Sequence, residues 1–364
     1  MAIPKQGKKH GQQHGLWKNR FLRFSSKKLF RLLLIIAFLA FIPPIFFHFR
    51  LRRFQQMQLR KCGWLNDPPL VCAHGGDSTK AFPNTMAAYR IALLSQVDCI
   101  EIDVSRSSDG VLFALHDSQT SGEFINLKCF DVVVDVKTLK LESSFAVSFH
   151  QEMFQVLIAS RDLQRISGNS TAKVGYLSMK QIKELDASHQ FPQEFHDQKI
   201  PTIEDALALI SRSVRQVILD AKVGPPSYEK GLATDILSVV ERTQCNNCLV
   251  WAKSDILARD VIKLSSDVTV GYIVMKDPST GARTNLLRMK GAGVVGVYHP
   301  LIDEKLVRIL HGRDKKVYAW TVDDTDSMQN MLYERVDAVV TSHPTVLQRL
   351  MQDIRTQCLE DGFS

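Results

Sequence analysis

No aspartate or glutamate occurs in the first 61 residues of this 364-residue chain, although fourteen lysines and arginines do. The overall charge of +8 therefore belongs to the N-terminal arm. Residues 62–364 carry the remaining 32 basic residues against all 38 acidic ones, a net of −6. A mildly acidic body removes the main support for a nucleic-acid partner. The seven cysteines lack the paired C-x-x-C spacing of a zinc finger. Cys245-Asn-Asn-Cys248 stands alone, as a local disulfide, a redox pair or two incidental loop cysteines. No G-x-G-x-x-G follows the first strand-like run, which argues against a doubly wound dinucleotide-binding sheet.

What is present begins with an apolar run. Leu32 to Phe49 is eighteen residues without an acidic or basic side chain other than His48. As a helix it spans about 27 Å, enough for the hydrocarbon core of a bilayer. A cleaved signal peptide fits less well, because the run starts late and no small-x-small site follows Phe49. Nine basic residues precede the run and five follow it before Cys62, which places the N-terminus in the cytoplasm and residues 62–364 in the lumen or outside the cell. The Asn169-Ser170-Thr171 sequon fits that placement. The expected organisation is a basic tail over 1–31, a transmembrane helix over 32–49, a linker over 50–69, a globular domain over 70–350 and a C-terminal tail over 351–364.

From residue 70 onward, β-rich runs alternate with helical patterns, the sign of an α/β fold with parallel strands. Strands are expected at 70–74, 98–104, 111–116, 216–222, 248–253, 268–275, 293–299, 315–322 and 336–341. Helices are expected at 84–95, 203–213, 229–242, 255–264, 302–311 and 326–334. Ser107-Ser108-Asp109-Gly110 leaves no room for a crossover helix, so 98–104 and 111–116 form a hairpin. The other eight strands then suffice to close a (β/α)8 barrel.

Four pieces place polar residues at strand ends: His74-Gly75-Gly76-Asp77, Glu101-Ile102-Asp103, His116-Asp117 and Asp220-Ala221-Lys222. Period-two alternation puts Glu101 and Asp103 on one face of an otherwise apolar strand. Carboxylates there call for a hard cation. A turn centred between Ser108 and Asp109 sets Glu101 opposite His116. In a barrel the C-terminal strand ends converge, which brings His74 and Asp220 to the same mouth.

In this order the pieces resemble the glycerophosphodiester phosphodiesterase family. Its signature is a strand ending in His-Arg-Gly, a Pro-Glu-Asn-Thr helix start, Glu-x-Asp, Asp-Gly, His-Asp and a later Glu-x-Lys. The matches are His74-Gly75-Gly76, Phe82-Pro83-Asn84-Thr85, Glu101-Ile102-Asp103, Asp109-Gly110, His116-Asp117 and Asp220-Ala221-Lys222, with further likeness at Trp320-Thr321-Val322-Asp323-Asp324 and elsewhere over residues 70–350. The pattern looks close to plant-type, membrane-anchored members. The resemblance implies a phospholipase-C-like TIM barrel that hydrolyses glycerophosphodiesters, such as glycerophosphocholine, to sn-glycerol 3-phosphate and an alcohol. It implies Glu101, Asp103 and Asp220 as ligands of Mg2+ or Ca2+, and His74 and His116 as general acid and base. Lys222 and Lys80 are then candidates for the phosphate, and Trp320 for the substrate pocket. A lysophospholipase D acting on membrane lipids and a degenerate, non-catalytic barrel are the alternatives.

Three positions depart from the family pattern: Gly75 replaces its Arg, Pro83 its Glu, and Asp220 the Glu of Glu-x-Lys. A fourth departure is a segment. Ser118 to Ser160, 43 residues, intervene where the family passes from His-Asp almost directly to a stretch like Arg161-Asp162-Leu163. They read as an inserted piece, either retained intron sequence or an added subdomain at the barrel mouth.

Overall fold

A computed structural model of the chain describes residues 26–79, 81–116, 162–169, 171–187, 198–277 and 280–363. It divides into two units, Met1–Met57 and Gln58–Ser364. Helix α1, Ser26–Cys62, contains Pro43 and Pro44 and is long and apolar enough to cross a membrane. It takes in the expected span over 32–49 and runs on as helix through residues 50–62, where the sequence suggested a linker.

In the larger unit all nine expected strands form: β1 Leu70–His74, β2 Cys99–Arg106, β3 Leu112–Ala114, β4 Gln216–Ala221, β5 Cys248–Ala252, β6 Thr269–Val274, β7 Val294–Tyr298, β8 Lys316–Trp320 and β9 Ala338–Thr341. Pairing runs in the order β1-β9-β8-β7-β6-β5-β4-β2, and β1 also pairs with β2, so eight parallel strands close a barrel. β3 lies antiparallel on β2, outside the closed ring.

Side-chain alternation divides the core. Ile100, Ile102 and Val104 of β2 join an outer cluster beneath the helices, as do Val217, Leu219 and Ala221 of β4. Cys99 and Ile218, from the same strands, fill an inner cluster with Cys72, Leu249, Trp251 and Tyr318. The inner set is the packed centre expected of this barrel. Because the period is two, the next inward position toward the C-terminal mouth falls at His74, Glu101 and Asp220.

The hairpin register departs from the expected one. Val104 pairs with Ala114, Ser105 with Phe113 and Arg106 with Leu112. This centres the turn on Asp109, one half-step later than expected, and carries Glu101 out of register with His116. Ser107 explains the shift. Its backbone N–H donates to the Val111 carbonyl at 2.9 Å, its hydroxyl donates to Asp109, and Gly110 N–H returns to the Ser107 carbonyl. The loop thus holds Ser108, Asp109 and Gly110 rather than two residues. Gly110 takes the left-handed conformation, with φ 85°, as three-residue hairpin loops require.

The helices match the expected runs as Met86–Leu94, Ile203–Ile210, Leu232–Arg242, Asp255–Leu264, Glu304–His311 and Thr325–Glu334. Five of these six starts carry side-chain caps, from Thr85, Thr202, Ser254, Asp303 and Asp324; Leu232–Arg242 begins after Gly231 without one. A further helix, Pro344–Glu360, passes through most of the stretch read as a C-terminal tail. Among the described residues three disulfides form: Cys62–Cys358, Cys72–Cys99 and Cys245–Cys248. The last settles the open reading of that C-x-x-C pair as a local cross-link. Ser118 to Ser160 lie outside the described residues, as do Lys80 and Ser170 of the sequon.

Candidate active site

The site is assembled from strand ends and the loop that follows β1. His74 closes β1, and the chain turns at once through Gly75 and Gly76, with φ of 63° and 90°. A β-carbon at Gly76 would lie 2.7 Å from the Ala88 backbone, so only glycine lets this turn pack against Met86–Leu94. At Gly75 a β-carbon would lie 2.7 Å from that of Pro83. Two of the sequence departures, Gly75 and Pro83, are therefore in direct apposition, and the backbone here is closed to an arginine without rearrangement.

Glu101 and Asp103 point into the mouth from β2, both buried. Glu101 accepts a hydrogen bond from the Gly75 N–H at 3.0 Å and lies 3.9 Å from His74 Nε2. Asp220, at the end of β4, completes a set in which one ligand oxygen from each carboxylate lies within 4.8 Å of the others. Lys222 reaches back between them. Its Nζ is 2.6 Å from Asp103 Oδ1 and also pairs with Asp220.

Asn84 is a residue the sequence did not single out for a role. It is buried, adopts φ 60°, and grips Asp103 twice: Nδ2 donates to Asp103 Oδ2 at 2.7 Å, and Oδ1 accepts from the Asp103 N–H at 3.1 Å. The Tyr89 hydroxyl donates to the same Oδ1 at 3.3 Å. The Phe-Pro-Asn-Thr motif was the available signal. Thr85 caps the helix and Asn84 orients a carboxylate, so the motif has both a structural and a site role.

Charge packed this tightly shifts Glu101, Asp103, Lys222 and His116. Burial, then repulsion from Asp103 and Asp220, raises the Glu101 carboxyl well above its usual range. For Asp103, burial acts upward but is outweighed by Lys222 and then by His116 and His74, which hold it below that range. Lys222 is driven upward by Asp103, Asp220 and Glu101 against the opposing effect of burial. Burial lowers His116 to about 4. That His116 interacts with Asp103, Lys222, Asp220 and His74 places it beside the cluster despite the altered hairpin register.

The donor set fits a divalent cation. All three carboxylates offer hard oxygen, and Asp220 Oδ1 is buried without a hydrogen-bond partner. With all three carboxylates ionised, as a bound cation would require, one ammonium leaves two negative charges for the cation to offset.

Residues 74–346 match the Glycerophosphoryl diester phosphodiesterase family. The chain belongs to that family. It is 60% identical over 333 residues to the glycerophosphodiester phosphodiesterase GDPD4 of Arabidopsis thaliana, covering 92% of this chain and 88% of the relative. It is 25% identical over 287 residues to a glycerophosphodiester phosphodiesterase of Caldanaerobacter subterraneus, covering 78% of this chain and 98% of the relative. Among solved structures, a phosphodiesterase of Oleispira antarctica in complex with sn-glycerol-3-phosphate aligns with a TM-score of 0.59 at 20% identity, over 79% of this chain and 98% of that one. A glycerophosphodiester phosphodiesterase of Parabacteroides distasonis gives 0.57 at 16% identity, over 79% and 98%. At those identities the two structures speak to the fold, and both agree with the barrel.

As a glycerophosphodiester phosphodiesterase, the protein brings His74, Glu101, Asp103, Asp220, Lys222 and His116 into one cluster. Trp320 sits at the end of β8 against the inner barrel cluster. Asp323, three residues on, accepts hydrogen bonds from Ser342 N–H at 2.7 Å and Thr341 Oγ1 at 3.1 Å, which ties the β8 and β9 mouth loops together.

Proposed function

We propose that the protein hydrolyses glycerophosphodiesters to sn-glycerol 3-phosphate and an alcohol in a reaction that depends on a divalent cation, Mg2+ or Ca2+. Glu101, Asp103 and Asp220 would hold the ion, with Asn84 and the Gly75 N–H fixing the two carboxylates of β2. A bound divalent cation would offset the negative charge of the phosphodiester and polarise its phosphorus–oxygen bonds. Lys222 adds a fixed positive charge at the same place.

His74 and His116 form the proton-transfer pair. One imidazole accepts the proton of the attacking hydroxyl as the new phosphorus–oxygen bond forms. The other gives its proton to the leaving alkoxide as the old bond breaks; attack of water on the cyclic phosphodiester so formed, with the two roles exchanged, then consumes the water and returns both histidines to their starting states. Burial of His116 favours the neutral form of its ring, which suits the accepting role in the first step. The observation that carries the reading is the gathering of the three carboxylates with an orphaned oxygen on Asp220. Purified full-length protein should hydrolyse glycerophosphodiesters with Mg2+ or Ca2+ and lose that activity in EDTA. Full activity in EDTA, or in the His74→Ala and His116→Ala variants, would overturn it.

α1 is proposed to hold the enzyme on a membrane with the N-terminus cytoplasmic and the barrel luminal or extracellular. The basic flank supports that orientation. Three disulfides in the barrel unit support it independently, since such bonds persist in oxidising compartments.

A further inference from the structure

We propose that Asn169 carries an N-linked oligosaccharide, a modification that rests on the luminal or extracellular placement of the barrel proposed above. Asn169-Ser170-Thr171 is the one Asn-x-Ser/Thr triplet in the sequence. Such a triplet is common by chance, and what decides its use is whether the asparagine is presented to an enzyme. Here the flanks are pinned and the middle stands out. Leu163 and Ile166 of the helix Asp162–Ser167, and Val174 of the single turn Val174–Tyr176, are buried in one cluster with Phe113 and Leu115. Between those anchors Gly168, Asn169 and Thr171 are exposed. A β-carbon on Gly168 would meet nothing within 4 Å, so space is open beside Asn169 for a bulky sugar.

The side chain is held in one orientation. Asn169 Oδ1 accepts from the Thr171 N–H at 2.9 Å and from Thr171 Oγ1 at 2.8 Å. A backbone N–H can only donate, so the atom turned toward Thr171 is the carbonyl oxygen, and the amide nitrogen faces away from it. Among the described residues Nδ2 makes no hydrogen bond. The Ala172 N–H donates to the Asn169 carbonyl at 3.1 Å, and the Asn169 N–H donates to Ser167 Oγ at 3.3 Å, which fixes the backbone of the acceptor. Two donors on Oδ1 draw electron density from the amide and favour loss of an Nδ2 proton. In the transfer, Nδ2 attacks the anomeric carbon of the first sugar of a lipid-pyrophosphate-linked oligosaccharide. A nitrogen–carbon bond forms, the bond from that carbon to the pyrophosphate oxygen breaks, and the lipid pyrophosphate leaves with the bonding pair. The amide proton passes to a base of the transferring enzyme.

The test uses full-length protein made in yeast. Wild type should run as a band that an N-glycanase moves down by one step. Glycanase treatment in heavy-oxygen water should leave position 169 as labelled aspartate in peptide mass spectra. Asn169→Gln and Thr171→Ala should run at the lower position before treatment, and Thr171→Ser, which keeps a hydroxyl, should retain the upper band. Both lower-running variants should melt at the temperature of glycanase-treated wild type, which separates loss of the sugar from loss of the fold. Protease treatment of sealed microsomes reads the side of the barrel independently. An unmodified Asn169 in a protected barrel overturns the proposal and leaves the placement intact. An unmodified Asn169 in a digested barrel defeats both. A glycanase-sensitive band that persists in Asn169→Gln assigns the sugar to another residue and also overturns the proposal.

Discussion

Asp220 and Asn84 show how differently two residues of one site reveal themselves. Asp220 stands in a Glu-x-Lys-like motif at a strand end, and its oxygen without a partner points to a ligand. Asp220→Asn should therefore leave the fold intact but weaken Mg2+ or Ca2+ binding by at least tenfold, read by calorimetric titration. Asn84 was not legible as a site residue, because its two hydrogen bonds cross from a loop to a strand nineteen positions away. It orients Asp103 from a buried position. Asn84→Ala removes a charge-assisted bond and leaves the Asp103 N–H without that acceptor, at a cost of about 2–3 kcal/mol. Partners that orient metal ligands typically weigh about 10–100-fold in affinity or activity. The expected signature is a raised metal requirement that added Mg2+ or Ca2+ partly restores. A fall in activity that no metal concentration relieves would instead point to general loss of structure.

At the scale of elements, the strands were easy to read and their cross-connections were not. Every strand was visible because apolar alternation is a local signal. The hairpin register was displaced because Ser107 closes a three-residue loop with its own side chain, a competition that spacing alone does not show. The Cys72–Cys99 bond was equally hidden, since cysteine connectivity does not follow from sequence. It joins register partners of β1 and β2 one inward step below His74 and Glu101, which are themselves partners. The double variant Cys72→Ala, Cys99→Ala should lower stability by about 2–4 kcal/mol in denaturant titration. If the cross-link also sets the spacing of those two strands, kcat should fall more than KM rises. An unchanged kcat would restrict the bond to stability.

For the molecule as a whole, the sequence already separated a basic, apolar N-terminal region from an acidic barrel, and the two structural units divide at Met57. Full-length protein should remain with membranes through alkaline carbonate extraction. Release of the intact chain under those conditions would remove α1 as a span. A second expectation concerns the ion. An ion that binds the folded carboxylate cluster and not the unfolded chain stabilises the fold, so the loaded protein should melt higher than the stripped one, by an amount that grows with metal concentration. Scanning calorimetry with and without EDTA measures it, and equal melting temperatures would mean that these carboxylates bind nothing under the conditions used.

The Cys62–Cys358 bond adds a property of durability. It joins the last residue of α1 to the final helix, 296 positions away. Nearly the whole barrel, with residues 118–160, therefore lies within one covalent ring. A protease that nicks the chain once anywhere inside that ring yields a two-piece protein whose parts travel together on a non-reducing gel and separate only after a thiol is added. Clipping at the mouth would thus leave the carboxyl-terminal half tethered to whatever surface holds α1.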